Sequence, residues 1–252
     1  MIDIHSHILF GVDDGPRDLE GSLVMLRDAE KMGYSDIVCT SHFYPEVYEN
    51  KDYDRNFKIL SEKIKEEKID VRIYKGNETV ANSRILNHLK EINTINGTSY
   101  LLIELDPGTE YDECRKFMKK LMKLGYRPIL AHIERYVNFT LEQLKNLHNM
   151  GIIFQINIRE IAEMSCDIRF IFENRYLEIV ATDCHRIDKR NYHISEYIER
   201  LKKEAGEEYF NILTCANPDK ILRGEEIELK EWKDEKDRGV VSKLLNKIKD
   251  YL

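Results

Sequence analysis

Seven short, nearly continuous apolar runs alternate with longer amphipathic stretches, and this alternation leaves few folds open to the chain. The runs are residues 1–4, 36–40, 71–74, 100–103, 128–131, 152–156 and 178–181. A strand that is apolar at successive positions must be covered on both faces, as in a parallel sheet flanked by helices. The stretches between them carry helical spacing. Leu23, Leu26, Ala29 and Met32 share a face of residues 19–32, and residues 56–68 and 113–124 follow similar patterns. Gly33 and Gly125 are placed as helix stops. Strand–helix units repeated without a break in composition predict one α/β domain. A (β/α)7 barrel is the expected architecture, with a doubly wound open sheet as the alternative.

The end of the chain reads differently. Residues 225–238 are mostly charged, and residues 239–252 then turn amphipathic, with Val240, Val241, Leu244, Leu245, Ile248 and Leu252 on one helical face. We read residues 224–252 as an extension to a domain of residues 1–223. Its apolar face suits either packing on the barrel or contact with another subunit, which leaves a homo-oligomer open.

Ligand-type residues fall where a parallel barrel builds its sites. The first run leads to His5 and His7, the second to His42, the third to Glu78 and the fourth to Glu104. The fifth ends at His132 and the seventh at Asp183 and His185; only the sixth differs, offering Asn157. Loops at the C-terminal rim converge on the barrel axis, so residues just past strand ends meet there. One such residue alone is best read as structural or exposed. Six runs out of seven sharing the feature point to a common site. Five of the eight histidines lie there, while His88, His148 and His193 sit in or near helical stretches and receive no role. Spacing sharpens the reading. His5-Ser6-His7 sets two imidazoles on one face of an extended chain, and Asp183-Cys184-His185 repeats the device with a carboxylate. Asp13 and Asp14 are equally placed to join them, and spacing does not choose.

Composition removes other classes. A net charge of −7 and a pI near 5.7 argue against a nucleic-acid-binding protein. No apolar run approaches the roughly 20 residues of a membrane span. The opening residues show no basic segment followed by an apolar one, so no secretory signal is expected. Five cysteines fit neither a disulfide framework nor a zinc motif. The expected setting is cytoplasmic.

These residues resemble the PHP superfamily, named for polymerase and histidinol phosphatase, and within it the bacterial protein-tyrosine phosphatase branch of the CpsB/CapC type. The resembling segments are MIDIHSHILFGVDDGP at residues 1–16, TSH at 40–42, GNE at 76–78, LIE at 102–104, AHIERY at 131–136, ATDCH at 181–185 and NPDKIL at 217–222. The resemblance implies a distorted seven-stranded TIM-like barrel with a trinuclear metal site. It implies that His5, His7, Glu78 and Asp183 hold one metal, that Glu78, bridging, with Glu104 and His132 holds a second, and that Asp14, His42 and His185 hold the third. It also implies phosphate-binding roles for Arg135 and Arg190. The implied substrate is a phosphotyrosine protein, a tyrosine autokinase controlling polysaccharide export.

This ligand set is nitrogen and oxygen only, which suits Mn²⁺ first, then Fe²⁺ or Zn²⁺, with Mg²⁺ as a further choice. Its four carboxylates carry about −4, which three divalent ions turn into about +2, favouring a phosphate dianion. A guanidinium grips two phosphoryl oxygens in a planar fork. A phenolate, with a parent pKa of about 10, leaves without a strong general acid. The rival readings are a small-molecule phosphatase such as histidinol phosphatase, a nuclease, an amidohydrolase and a catalytically silent binding module. Against an amidohydrolase, Glu104 stands where a metal-bridging lysine is expected. Against a silent module, all nine implied ligands are present. Residues 184–190, CHRIDKR, also match the Cys-x5-Arg spacing of thiol-dependent phosphatases. With no glycine inside, that loop is not expected to wrap a phosphate.

Overall fold

The computed structural model describes residues 1–232. In chain order the elements are β1 (Ile2–Ser6), α1 (Leu19–Lys31), β2 (Asp36–Cys39), β3 (His42–Phe43), α2 (Tyr53–Glu66), β4 (Arg72–Lys75), β5 (Glu78–Val80) and β6 (Tyr100–Glu104). They continue with α3 (Tyr111–Lys123), β7 (Arg127–Leu130), α4 (Leu141–Asn149), β8 (Ile153–Asn157), α5 (Cys166–Glu173), β9 (Ile179–Ala181), α6 (Ser195–Asn211) and α7 (Asn217–Arg223). Local chemistry sets the helix ends. Asp18 accepts from Gly21 N to open α1, Thr140 and Gln143 form a capping box at α4, and Gly33 and Gly125 take φ of +85° and +91° just past α1 and α3.

All ladders are parallel and fall into two sheets, β1-β2-β4 and β3-β5-β6-β7-β8-β9. β2 and β4 match the second and third expected strands, and past breaks at Thr40-Ser41 and Gly76-Asn77 each is followed by a short further strand, β3 and β5, that was not expected. Across the remaining gap, Asp183 N donates to His5 O and His7 N donates to Cys184 O, both at 2.8 Å. The seven-fold barrel is therefore distorted at those two breaks and at the β9–β1 junction. One strand departs from the expected double burial: in β4, Arg72 is exposed and the other residues are half-buried. β4 ends its sheet, and its polar side chains turn to Asp36. Arg72 donates to both Asp36 oxygens at 2.7 and 2.9 Å, and Tyr74 donates from its hydroxyl at 2.8 Å.

The inner core explains where the site must lie. Ile4, Val38, Leu102, Ile129, Ala131, Ile153 and Ala181 pack inside the barrel, and Ile221, Leu222 and Ile227 plug its lower end. Alternation then carries polar residues onto the same inner face one step higher: Glu104 above Leu102 and Gln155 above Ile153. Along β1 a register shift between Asp3 and Ser6 resets the alternation before His7.

The chain past α7 crosses the barrel end opposite the rim. Trp232 is buried and stacks on Tyr176, with ring centroids 4.2 Å apart and planes 9° from parallel. Beside it His148 Nε2 pairs with Glu178 Oε1 at 2.9 Å, and Glu178 Oε2 accepts from Phe154 N, so His148 serves the fold. The amphipathic stretch expected over residues 239–252 lies outside the described residues. Among the described residues no helix is long and apolar enough to cross a membrane. All five cysteines are free.

Candidate metal centre

Glu78 is the hub of the rim. Its Oε1 lies 2.8 Å from His132 Nε2 and 3.3 Å from His5 Nε2. Its Oε2 lies 3.1 Å from His7 Nε2 and 3.3 Å from His42 Nδ1. Three sets of ligand-type atoms converge to within 4.8 Å: His5, His7, Glu78 and Asp183; His7, Asp14, His42 and His185; and His42, Glu78 and Glu104. All nine implied ligands are thus brought together, His132 through its contact with Glu78. The geometry differs from the implied grouping in three respects: His7 joins the Asp14 set, His42 also reaches Glu104 Oε1 at 3.2 Å, and His132 stands outside the Glu78–Glu104 set, 3.8 Å from Glu104 Oε2.

Backbone conformation aims these groups. His132 and Asp183 take left-handed φ of 35° and 52°, which turns each out of strand alternation at the ends of β7 and β9. Asp3, buried under the first pincer, ties it to the last. Its carboxylate accepts from Thr182 Oγ1 at 2.5 Å, Tyr192 OH at 2.8 Å, Thr182 N at 3.1 Å and His5 N at 3.2 Å.

Three imidazoles are set as ligands by what holds their other nitrogen. His5 Nδ1 meets Gln155 Oε1 at 3.0 Å, His7 Nδ1 meets Asp13 Oδ2 at 2.8 Å, and His185 Nδ1 meets the Asp183 carbonyl at 2.9 Å. An acceptor at Nδ1 puts the proton there and leaves the Nε2 lone pair free. The Nε2 atoms of these same residues are buried without a hydrogen-bond partner. Orphaned buried nitrogens facing carboxylates fit divalent ions.

The two neighbouring aspartates now separate. Asp14 is about half exposed and reaches His185 Nε2 at 3.4 Å and His42 Nε2 at 3.7 Å. Asp13 is buried beneath, where Oδ2 also accepts from His42 N at 2.9 Å and Oδ1 accepts from Gly15 N. Gly15 permits this fold-back, since a Cβ there would lie 2.2 Å from His7 O. The sequence reading left Asp13 open as a ligand and did not see its supporting role; it missed Gln155 altogether. The usable signal was the polar pair Gln155 and Asn157, two apart in the otherwise apolar β8.

Burial works against protonating His5, His7 and His42, yet all three are held above the ordinary imidazole value. Glu78 and Asp183 outweigh burial at His5, Asp13 and Glu78 at His7, and Glu104 and Glu78 at His42. His185 is pushed down to about 2, by burial and then by the neighbouring His7. Burial also opposes ionisation of Glu78, but His5 and His132 hold its carboxyl well below the ordinary range. A ligand imidazole must lose its proton to bind metal, so raised values make affinity fall as pH falls through them. Loading the metal-free protein near pH 7 should therefore release protons. Calorimetry in buffers of different ionisation enthalpy reads this directly, and uptake without proton release would contradict the arrangement.

Both predicted arginines reach the centre's edge. Arg135 Nη2 and Arg190 Nη1 donate to Asp183 Oδ2 at 2.5 and 2.7 Å, and Asn157 Nδ2 adds a third donor at 3.1 Å. Cys184 faces the other way. It is buried in the outer core, donates its Sγ hydrogen to Asn191 O at 2.9 Å, and has its thiol pushed up to about 12 by burial. A thiol so held is a poor nucleophile. Cys184→Ser should keep most phosphatase activity, and alkylating reagents should spare the enzyme. A dead variant with a full metal complement would point to thiol chemistry instead.

The chain is similar to known proteins along most of its length. Tyrosine-protein phosphatase CpsB of Streptococcus pneumoniae is 32% identical over 238 residues, covering 88% of this chain and 98% of that protein. Tyrosine-protein phosphatase YwqE of Bacillus subtilis (strain 168) is 30% identical over 241 residues, covering 90% and 93%. A crystal structure from the work on YwqE and CpsB, described as unique metal-dependent tyrosine phosphatases, superposes with a TM-score of 0.81 at 28% identity. It covers 93% of this chain and 100% of its own. The family model for capsular polysaccharide synthesis, CpsB/CapC, spans residues 1–223 and so takes in every rim residue from His5 to Arg190; the chain belongs to the CpsB/CapC family.

Proposed function

We propose that this protein is a metal-dependent phosphatase that hydrolyses phosphotyrosine on a protein, its substrate being a bacterial tyrosine autokinase that controls polysaccharide synthesis and export. The observation that carries the reading is the set of buried, unpartnered Nε2 atoms of His5, His7 and His185 around Glu78 and Asp183. We assign the nine rim residues His5, His7, Asp14, His42, Glu78, Glu104, His132, Asp183 and His185 to three divalent ions, Mn²⁺ first among them. When bound, such ions supply Lewis acidity to phosphoryl oxygens and acidify a water at neutral pH.

The chain's own residues do the rest. Asp13, Gln155 and the Asp183 carbonyl fix the imidazoles, so the centre needs little rearrangement to bind. Arg135 and Arg190 already converge on one oxygen at the edge, and their guanidiniums are placed to grip phosphoryl oxygens and the charge that develops on them. The centre opens outward: Arg135 has 44% of its side chain exposed and Asp14 has 47%. Such a shallow mouth admits a phosphorylated side chain borne on a folded or extended polypeptide. A closed pocket would favour a free small molecule such as histidinol phosphate.

The deciding experiment is turnover of phosphotyrosine, phosphoserine and histidinol phosphate by purified protein, with and without Mn²⁺. Chelation should abolish activity on phosphotyrosine and Mn²⁺ should restore it. Full activity in demonstrably metal-free protein would falsify the reading, and a preference for histidinol phosphate would move it to a small-molecule phosphatase.

A further inference from the structure

A groove of about 620 Å³ lies between the segment after β5, the segment after β6 and the face of α3. Backbone pairing fixes its near end. Ala81, which lines the groove, donates its N–H to Glu104 O at 2.8 Å. The groove thus begins one backbone hydrogen bond away from a residue of the metal centre. Ala81, Leu86, Pro107 and Phe117 give it apolar surface.

The helix side adds charge. Lys116 and Lys120 both line the groove and are both exposed. Four residues apart on α3, they lie one above the other on the same helix face. Among the described residues neither has a carboxylate within ion-pair distance. Glu113 and Asp106 share the lining and balance its formal charge, but both precede the lysines along the chain, so the positive charge stands further along α3. The pair stands without an ion-pair partner among the described residues, in a chain of net charge −7. The lysine stems extend the apolar surface while their ammonium groups stand in water.

We propose that this groove holds the polypeptide stretch flanking the phosphorylated tyrosine, and that Lys116 and Lys120 select substrates with acidic side chains in that stretch. The inference rests on the phosphotyrosine-protein reading. An extended segment running from the metal centre along the groove would lay apolar side chains on Leu86 and Phe117 and carry its carboxylates past the two ammoniums. Exposed charge pairs are individually weak and are screened by salt, so the selection should be modest and salt-dependent.

The test compares two phosphotyrosine peptides that differ only in flanking glutamates against glutamines. Each kcat/KM is normalised to p-nitrophenyl phosphate turnover, a substrate with no flanking residues. At low salt the wild-type protein should favour the acidic peptide about five- to ten-fold, and added salt should erode the ratio. Lys116→Gln/Lys120→Gln should bring the ratio near one, and Lys116→Glu/Lys120→Glu should invert it. Equal cleavage of both peptides by the wild type, or a preference that survives charge reversal, overturns the groove assignment while leaving the phosphotyrosine reading intact. Turnover of p-nitrophenyl phosphate with neither peptide cleaved overturns both.

Discussion

Glu78→Ala is expected to strip metal from the centre and to lower turnover by well over the roughly 100-fold that follows loss of a supporting group, whereas Asp14→Ala should do less. Glu78 is buried and places its two oxygens within 3.3 Å of nitrogens on His5, His7, His42 and His132. Asp183 faces more side chains, but three of them are the donors Arg135, Arg190 and Asn157; Glu78 sits among four imidazoles, and at 1% exposure water cannot take its place. Asp14 stands at the mouth with 47% of its side chain exposed and meets two histidines at 3.4 and 3.7 Å. Water can substitute there. Metal counted per chain by elemental analysis, with turnover measured on the same preparations, decides the matter. Equal losses, or a greater loss from Asp14→Ala, would remove Glu78 from its bridging role. Glu78→Gln adds a control that keeps the volume and removes the charge.

Arg135→Ala should cut turnover by roughly 100- to 1,000-fold, the usual cost of losing one donor aimed at transition-state charge. Metal content should barely change. Asp183 would lose the Arg135 donor but keep Arg190 at 2.7 Å and Asn157 at 3.1 Å on the same oxygen. Arg135→Lys should recover only part of the rate, because an ammonium keeps the charge without the planar fork. Wild-type turnover in Arg135→Ala would make the arginine a bystander. Substantial metal loss would instead make it a support for Asp183.

The ring of rim ligands was legible because strand ends announce themselves. An apolar run stops, and a histidine or carboxylate follows, as Leu102 leads to Glu104 on the inner face and Ala181 to Asp183 through a left-handed turn. What stayed hidden depended on direction and not on residue type. Asp13 and Asp14 are the same residue side by side, and only the fold-back at Gly15 sends one beneath His7 and leaves the other at the mouth. Gln155 carries no charge and sits within a strand, so nothing in its type marks it as the group that orients His5 and accepts from His132 N. The breaks at Thr40-Ser41 and Gly76-Asn77 were invisible for another reason. Each lies at or just past the end of an expected run, and the short strands beyond, β3 and β5, pair to bring His42 opposite Glu78.

Trp232 is the chain's single tryptophan, and it stacks on Tyr176 at the barrel end opposite the metal centre. That position makes it a built-in optical probe of one event. Its emission should follow whether the segment after α7 is seated, and should stay constant while metal is added or removed at the far rim. Titrating denaturant while watching emission in parallel with turnover would then show whether the two ends of the barrel come apart together or in sequence.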